Sequence, residues 1–159
     1  MFICIASYEM QECGMTFDRE TSAGYLVNHL ARLLTWQIEQ RLNPLGLRIG
    51  AFPALLHLWE TDGLTQKDLV DRLGIEQPTM AATLARMERD GFIRRVRDEN
   101  DGRMQRVWLT PKARALEGPA TAAATGLNEL ALGDLSSQEA RAFLDMMQRI
   151  IGRLHRPEI

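Results

Sequence analysis

Residues 64–116 read LTQKDLVDRLGIEQPTMAATLARMERDGFIRRVRDENDGRMQRVWLTPKARAL, and the order of local signals in this stretch decides the fold. Thr65 stands three residues before Asp68, so its hydroxyl can accept from a free amide of a new helix while the carboxylate reaches back to the cap. Leu69, Val70 and Leu73 then give that helix a buried side. Gly74 ends it, because a glycine enters the left-handed conformation of a tight turn without a Cβ penalty, and Ile75 points back to the core. The second helix is predicted over Glu76 to Arg89. Pro78 falls in its first turn, where the amides have no intrahelical acceptor. Met80, Leu84 and Met87 face inward, leaving Thr79, Ala82, Thr83, Arg86 and Arg89 for the outside. Gly91 stops the helix. Phe92 to Arg97 and Met104 to Leu109 read as two strands around a turn-rich segment from Asp98 to Arg103. Thr110 and Pro111 then open one further helix, whose later part, Thr121 to Leu132, is rich in Ala and Leu.

Outward from this segment, Leu26, Leu30, Leu33, Leu34, Ile38 and Leu42 recur at helical spacing within Ser22 to Leu42, with Val27 and Trp36 beside them. So broad an apolar face suits a helix that packs on more than one side. Asn43, Pro44 and Gly46 interrupt it; a shorter helix follows over Ala51 to Trp59, ended by Asp62 and Gly63. At the other end, Ser136 and Glu139 form a capping box before Phe143, Met146, Met147, Ile150, Ile151 and Leu154. A terminal helix with that stripe requires a partner. The 159 residues suit a single globular domain from residue 22 onward, preceded by a loose tail over residues 1–21.

No run approaches the roughly 18 apolar residues of a membrane span, and the first residues lack the basic start and apolar core of a secretory signal, so a cytoplasmic product is expected. Cys4 and Cys13 are the two cysteines. They are too few for a disulfide framework and lack zinc-site spacing, so no metal and no cofactor is expected. The formal charge of −2 argues against nonspecific coating of nucleic acid but leaves room for a local basic patch.

That patch lies in the hairpin. Arg94, Arg95, Arg97, Arg103 and Arg106 stand against Asp98, Glu99 and Asp101. A short helix can brace the DNA backbone while the helix after it lays its N-terminal residues against base edges in the major groove. The backbone amides at both helix starts, with the Thr65 and Thr79 hydroxyls, suit phosphate oxygens. Arg103, at the hairpin tip, can reach a narrow minor groove whose negative potential favours a guanidinium. Asp101 belongs beside DNA only if it stiffens the loop, with Arg97 or another hairpin arginine as its partner.

This stretch resembles the MarR family of winged helix-turn-helix transcription regulators. The most specific part runs from Leu84 and Met87 through Asp90 and Gly91 to Asp98, Asp101, Arg103, Leu109, Thr110 and Pro111. The resemblance implies a mainly α fold with a small β wing. The winged helix-turn-helix spans residues 49–110, and residues 22–45 with 111–155 supply N- and C-terminal dimerisation helices. It implies a homodimer on double-stranded DNA, with the helix of Glu76 to Arg89 in the major groove, Arg103 in the minor groove, and Asp98 and Asp101 holding the wing. Ala81 and Ala82 depart from the family, which often carries Ser or Thr followed by a polar or basic residue there. Base reading therefore shifts to Gln77, Thr79, Thr83 and Arg86, or to DNA shape. The full set expected at DNA is Thr65, Gln77, Pro78, Thr79, Thr83, Arg86, Arg97, Arg103 and Arg106. Ala113 stands where the family often has glycine; little effect is expected, since alanine suits a helix interior.

The family often binds small aromatic or phenolic acids. In this chain His29, Arg32, Trp36 and His57 are the candidate effector residues, an arginine and histidines near an indole being able to hold a carboxylate against an apolar wall. The competing reading makes Trp36 and Trp59 core or dimer residues and the others partly exposed polar groups. No nucleophile elbow, catalytic carboxylate pair, phosphate loop or zinc-protease signature is present, so the chain does not read as an enzyme. A winged module serving only protein contact, without specific DNA binding, is the alternative function.

Overall fold

The computed structural model describes residues 17–98, 101–102 and 104–154. Two compact units make up the chain, one ending at Leu33 and one beginning at Leu34. Helix α1, Ala23–Leu42, crosses that boundary. Its start is capped by Ser22, whose hydroxyl accepts from the Tyr25 amide at 3.3 Å.

Within the second unit, two short 3-10 turns, Asn43–Leu45 and Ile49–Ala51, lead from α1 into helix α2, Phe52–Glu60. Strand β1, Leu64–Thr65, runs into helix α3, Gln66–Leu73, and helix α4, Gln77–Arg89, follows. Strands β2, Ile93–Arg97, and β3, Gln105–Leu109, form the hairpin, and α5, Pro111–Ala115, α6, Glu117–Leu132, and α7, Ser137–Leu154, complete the order. The antiparallel sheet is ordered β1-β3-β2, pairing Leu64 with Val107 and Ile93 with Leu109. Leu42, Leu47, Leu55, Leu58, Leu69, Met80, Leu84, Met87 and Val107 are fully buried and form one core beneath the helix pair and sheet. Removing one such leucine side chain costs about 2–5 kcal/mol, which makes this core the rigid seat of α3 and α4.

Three local differences from the sequence reading have plain causes. β1 is a strand of two residues, too short to show a period, and it exists only because β3 supplies its partner. The helix opened by Pro111 is two helices, breaking at Leu116. Pro119 has no N–H to offer the Ala115 carbonyl and its ring would press on that oxygen, so α5 stops at Ala115. Third, Thr83 is buried at 6% exposure although an outward position was expected. It follows Met80 by three residues and precedes Met87 by four, which puts it on the buried face of α4.

The caps expected from sequence are present. Thr65 Oγ1 accepts from the Asp68 amide at 3.1 Å, and the Thr65 amide and hydroxyl both donate to Asp68 Oδ2, at 2.9 and 2.7 Å. Those two donations from Thr65, backbone first, hold the Asp68 carboxyl below its ordinary range. Gly74 closes α3 at φ 61°. At α7, Ser136 and Glu139 form the second reciprocal cap, and the Ser136 hydroxyl and amide lower the Glu139 carboxyl in the same way. Among the described residues no helix is long and apolar enough to cross a membrane.

Candidate nucleic-acid interface

Helix α4 begins Gln77, Pro78, Thr79, and all three side chains are exposed. Further along, Ala82, Arg86 and Arg89 continue the exposed side while Met80, Leu84 and Met87 anchor the opposite one. The amides of the first turn point away from the helix body without intrahelical acceptors, as anion-binding helix starts require. Thr83 is turned inward, but its hydroxyl accepts from Arg86 NH2 at 3.1 Å. Its contribution is to steady the Arg86 guanidinium, and the expected direct base contact by Thr83 is withdrawn, since a buried side chain on the core face cannot reach a base edge.

The wing is braced by charge. Asp98 has a buried carboxylate, and it pairs with Arg106 Nε while Arg106 NH1 donates to the Gly63 carbonyl at 3.0 Å. The Asp101 amide donates to Asp98 Oδ1 at 3.1 Å, and the Met104 amide donates to the Asp101 carbonyl at 2.9 Å, closing the turn. Arg106 was expected at DNA; the structure gives it an internal task, tying the wing to the α2–β1 corner. Thr65 is likewise occupied, because its hydroxyl proton is directed to Asp68 and is not offered to a phosphate. Arg103 lies outside the described residues, as do Glu99, Cys4 and Cys13.

Among the described residues of the hairpin, β2 carries the remaining exposed arginines. Arg94, Arg95 and Arg97 are all exposed there. Arg95 is engaged by Glu88 of α4: the carboxylate accepts from the Arg95 amide at 3.0 Å, from Nε at 2.9 Å and from NH2 at 2.6 Å. These charge-assisted bonds, led by the Arg95 side chain, depress the Glu88 pKa and set the angle between α4 and the wing strand. Among the described residues neither Arg94 nor Arg97 has an ion pair. Strand β2 therefore carries two guanidiniums without an ion pair, one on each face of the strand, alongside the C-terminal part of α4 that holds Glu88; such charge is what a phosphate-contacting surface uses.

Sequence reasoning missed three features here. Glu88 carries no signal of its own, as its partner lies on the next strand. Asp62 accepts from the Gly63 amide at 2.9 Å and the Leu109 amide at 3.0 Å and pairs with Arg114, a hub spanning up to 52 positions. Gln66 meets Gln77 across the turn, its Nε2 lying 2.8 Å from Gln77 Oε1. Each depends on chain crossings that no spacing rule encodes. Trp59 is settled as a packing residue: it lies edge-on to Phe52 and donates from Nε1 to the Ala113 carbonyl at 3.0 Å.

The effector candidates fall in both units. In the first unit Arg32 NH2 lies 3.3 Å from His29 Nδ1, and the His29 ring stacks on Tyr25 with centroids 6.4 Å apart. In the second, Trp36 is exposed and His57 faces Glu60 at 3.9 Å. A groove of about 700 Å³ runs between the α1–α2 connection and α4, with Arg48, Arg86, Asp90 and Glu39 in its wall. A smaller one of about 230 Å³ is lined by Leu34, Ile38, Phe52 and Leu127. Neither wall includes Trp36 or His57.

Residues 47–104 match the MarR family. The chain is 34% identical over 101 residues to the HTH-type transcriptional regulator TtmR of Methylorubrum extorquens (strain PA1), a match covering 64% of this chain and about half, 51%, of that relative. A MarR transcriptional regulator from Methanosarcina mazei Go1 superposes with a TM-score of 0.76 at 28% identity, covering 82% of this chain and 94% of that one. A similar fold occurs in a putative MarR family regulator from Listeria monocytogenes complexed with 26mer DNA, with a TM-score of 0.78 at 22% identity over 84% of this chain and 89% of that one.

Proposed function

We propose that the chain, which matches the MarR family over residues 47–104, is a DNA-binding winged helix-turn-helix transcription regulator and acts as a homodimeric, ligand-responsive repressor on an imperfectly palindromic operator. The observation that carries the DNA-facing part is the exposed start of α4, Gln77 to Thr79, in a domain whose wing strand β2 also exposes the guanidiniums of Arg94 and Arg97. The helix start offers hydrogen-bond donors to bases and phosphates, and the arginines supply the attraction that every sequence shares. The Listeria protein of similar fold is described in complex with 26mer DNA, which supports DNA as the partner of a domain with this fold.

Two identical α4 surfaces require two half-sites, with centres about 10 base pairs apart if both helices enter one face of B-DNA. Selection of bound duplexes from a random pool tests this. Inverted half-sites at that spacing are expected, and a solitary unrepeated site overturns the dimeric arrangement. Failure to enrich any sequence favours a protein-contact module.

The effector reading follows from the family and from His29, Arg32, Trp36 and His57. A small aromatic carboxylate releases DNA only if it prefers the arrangement that does not bind the operator. Calorimetry with benzoates and hydroxycinnamates, followed by operator titration at saturating ligand, should show binding to the free protein and weaker DNA affinity. Absence of binding across the panel removes this chemical class.

A further inference from the structure

Helices α3 and α4 both begin with glutamine, and the two side chains meet. Gln66 Nε2 lies 2.8 Å from Gln77 Oε1 and 3.4 Å from the main-chain carbonyl of Gln77. That carbonyl decides the polarity of the pair. It accepts and never donates, so the Gln66 atom facing it is the amide nitrogen; turning the Gln66 amide over would set two oxygens against each other. With the Gln66 nitrogen so placed, the Gln77 atom opposite it must be the acceptor, Oε1. Nε2 of Gln77 then has no partner among the described residues, at an exposed position in the first turn of α4.

We propose that Gln66 is a positioning residue for sequence recognition: it holds the Gln77 amide by its oxygen and thereby makes Gln77 present its N–H donors to the DNA. This rests on the reading that α4 lies in the major groove. A glutamine with no neighbour turns either edge toward a base and discriminates little. In the major groove guanine displays two acceptors, N7 and O6, and cytosine displays only its N4 donor. A Gln77 held by Gln66 therefore favours guanine over cytosine at the base it faces by about fivefold, the worth of one net hydrogen bond. The consequence is specific to this chain, where Ala81 and Ala82 provide no competing polar contact on the same turn.

The test is competition binding by the full-length protein on operator duplexes carrying each base at every position, with thermal melting and sedimentation confirming fold and mass for each variant. Gln77→Ala should flatten the guanine-to-cytosine ratio at one position per half-site, identifying the base read. Gln66→Lys should keep the wild-type ratio there, because an ammonium donates to Oε1 as the amide does. Gln66→Glu should abolish or invert it, because a carboxylate accepts from the Gln77 nitrogen and turns Oε1 outward. Opposite responses from two charged substitutions separate polarity control from simple disruption. The proposal is overturned if Gln66→Lys and Gln66→Glu change the ratio alike, or if Gln66→Glu leaves it intact. A Gln77→Ala protein with an unaltered base profile also overturns it, while its continued selective binding would leave the DNA-binding reading standing.

Discussion

Gly63 shows what one residue can require. It sits at φ 77°, and a Cβ there would stand 2.8 Å from the Trp108 ring, which is anchored on the central strand. Both the left-handed backbone and the close ring exclude a side chain. Gly63→Ala is expected to destabilise the fold by about 2–4 kcal/mol, the combined cost of overpacking and an unfavourable backbone region, and a thermal melt measures it. Arg103 belongs to the same scale but acts through charge. Arg103→Ala should weaken operator binding and lower the salt dependence by about one counterion while leaving the sedimentation mass unchanged. Arg106 is the instructive contrast: on sequence alone it is one more wing arginine, yet its guanidinium is spent on Asp98 and Gly63. Counting arginines could not separate the two uses, because the partners of Arg106 arrive from 8 and 43 positions away.

At the scale of elements, the wing is steered from α4 by Glu88 and Arg95, and the helix pair is opened by the Thr65 cap. Loss of that cap in Thr65→Ala should cost about 1 kcal/mol of stability by thermal melt. Protonation acts on both contacts in the same direction. Asp68 and Glu88 have depressed pKa values in the folded chain, so their contribution is full above the ordinary carboxylate range and is lost as pH falls through the lowered folded values. Acid should therefore loosen β2 from α4. The Arg95 amide resonance is expected to move as Glu88 titrates, below the usual glutamate range, and to lose that movement in Glu88→Gln. A titration at the ordinary glutamate value would mean that the latch is not formed in solution. The capping boxes at Thr65 and Ser136 were legible because a cap and its partner lie within one turn. The Glu88–Arg95 latch was not, since it exists only after β2 folds back alongside α4.

For the whole molecule, α7 poses the main demand. None of its residues is buried, and Leu144, Met146, Ile150 and Leu154 are exposed by about half or more. So long an apolar stripe left in water is a surface awaiting a partner, and a second copy of this chain is the occupant expected from the family. Sedimentation at micromolar concentration should give about twice the 18.0 kDa chain mass. Ile150→Glu should shift it toward a monomer that keeps the sheet and the helix pair; a native monomer for the unaltered chain would refute the dimer. Taken alone, the sequence determined the helix pair joined at Gly74, the hairpin after Gly91 and the two capping boxes. Helical periodicity, glycine punctuation and caps are local, operating within a turn or two of chain. Tertiary structure alone decided that Thr83 turns inward, that β1 exists, that Asp62 ties the strand ends to Arg114, and that Gln66 grips Gln77. Each of these depends on which segments lie side by side, and that is set by burial of the shared core around Leu42, Leu69 and Leu84, a property of the folded chain that no short window of residues contains.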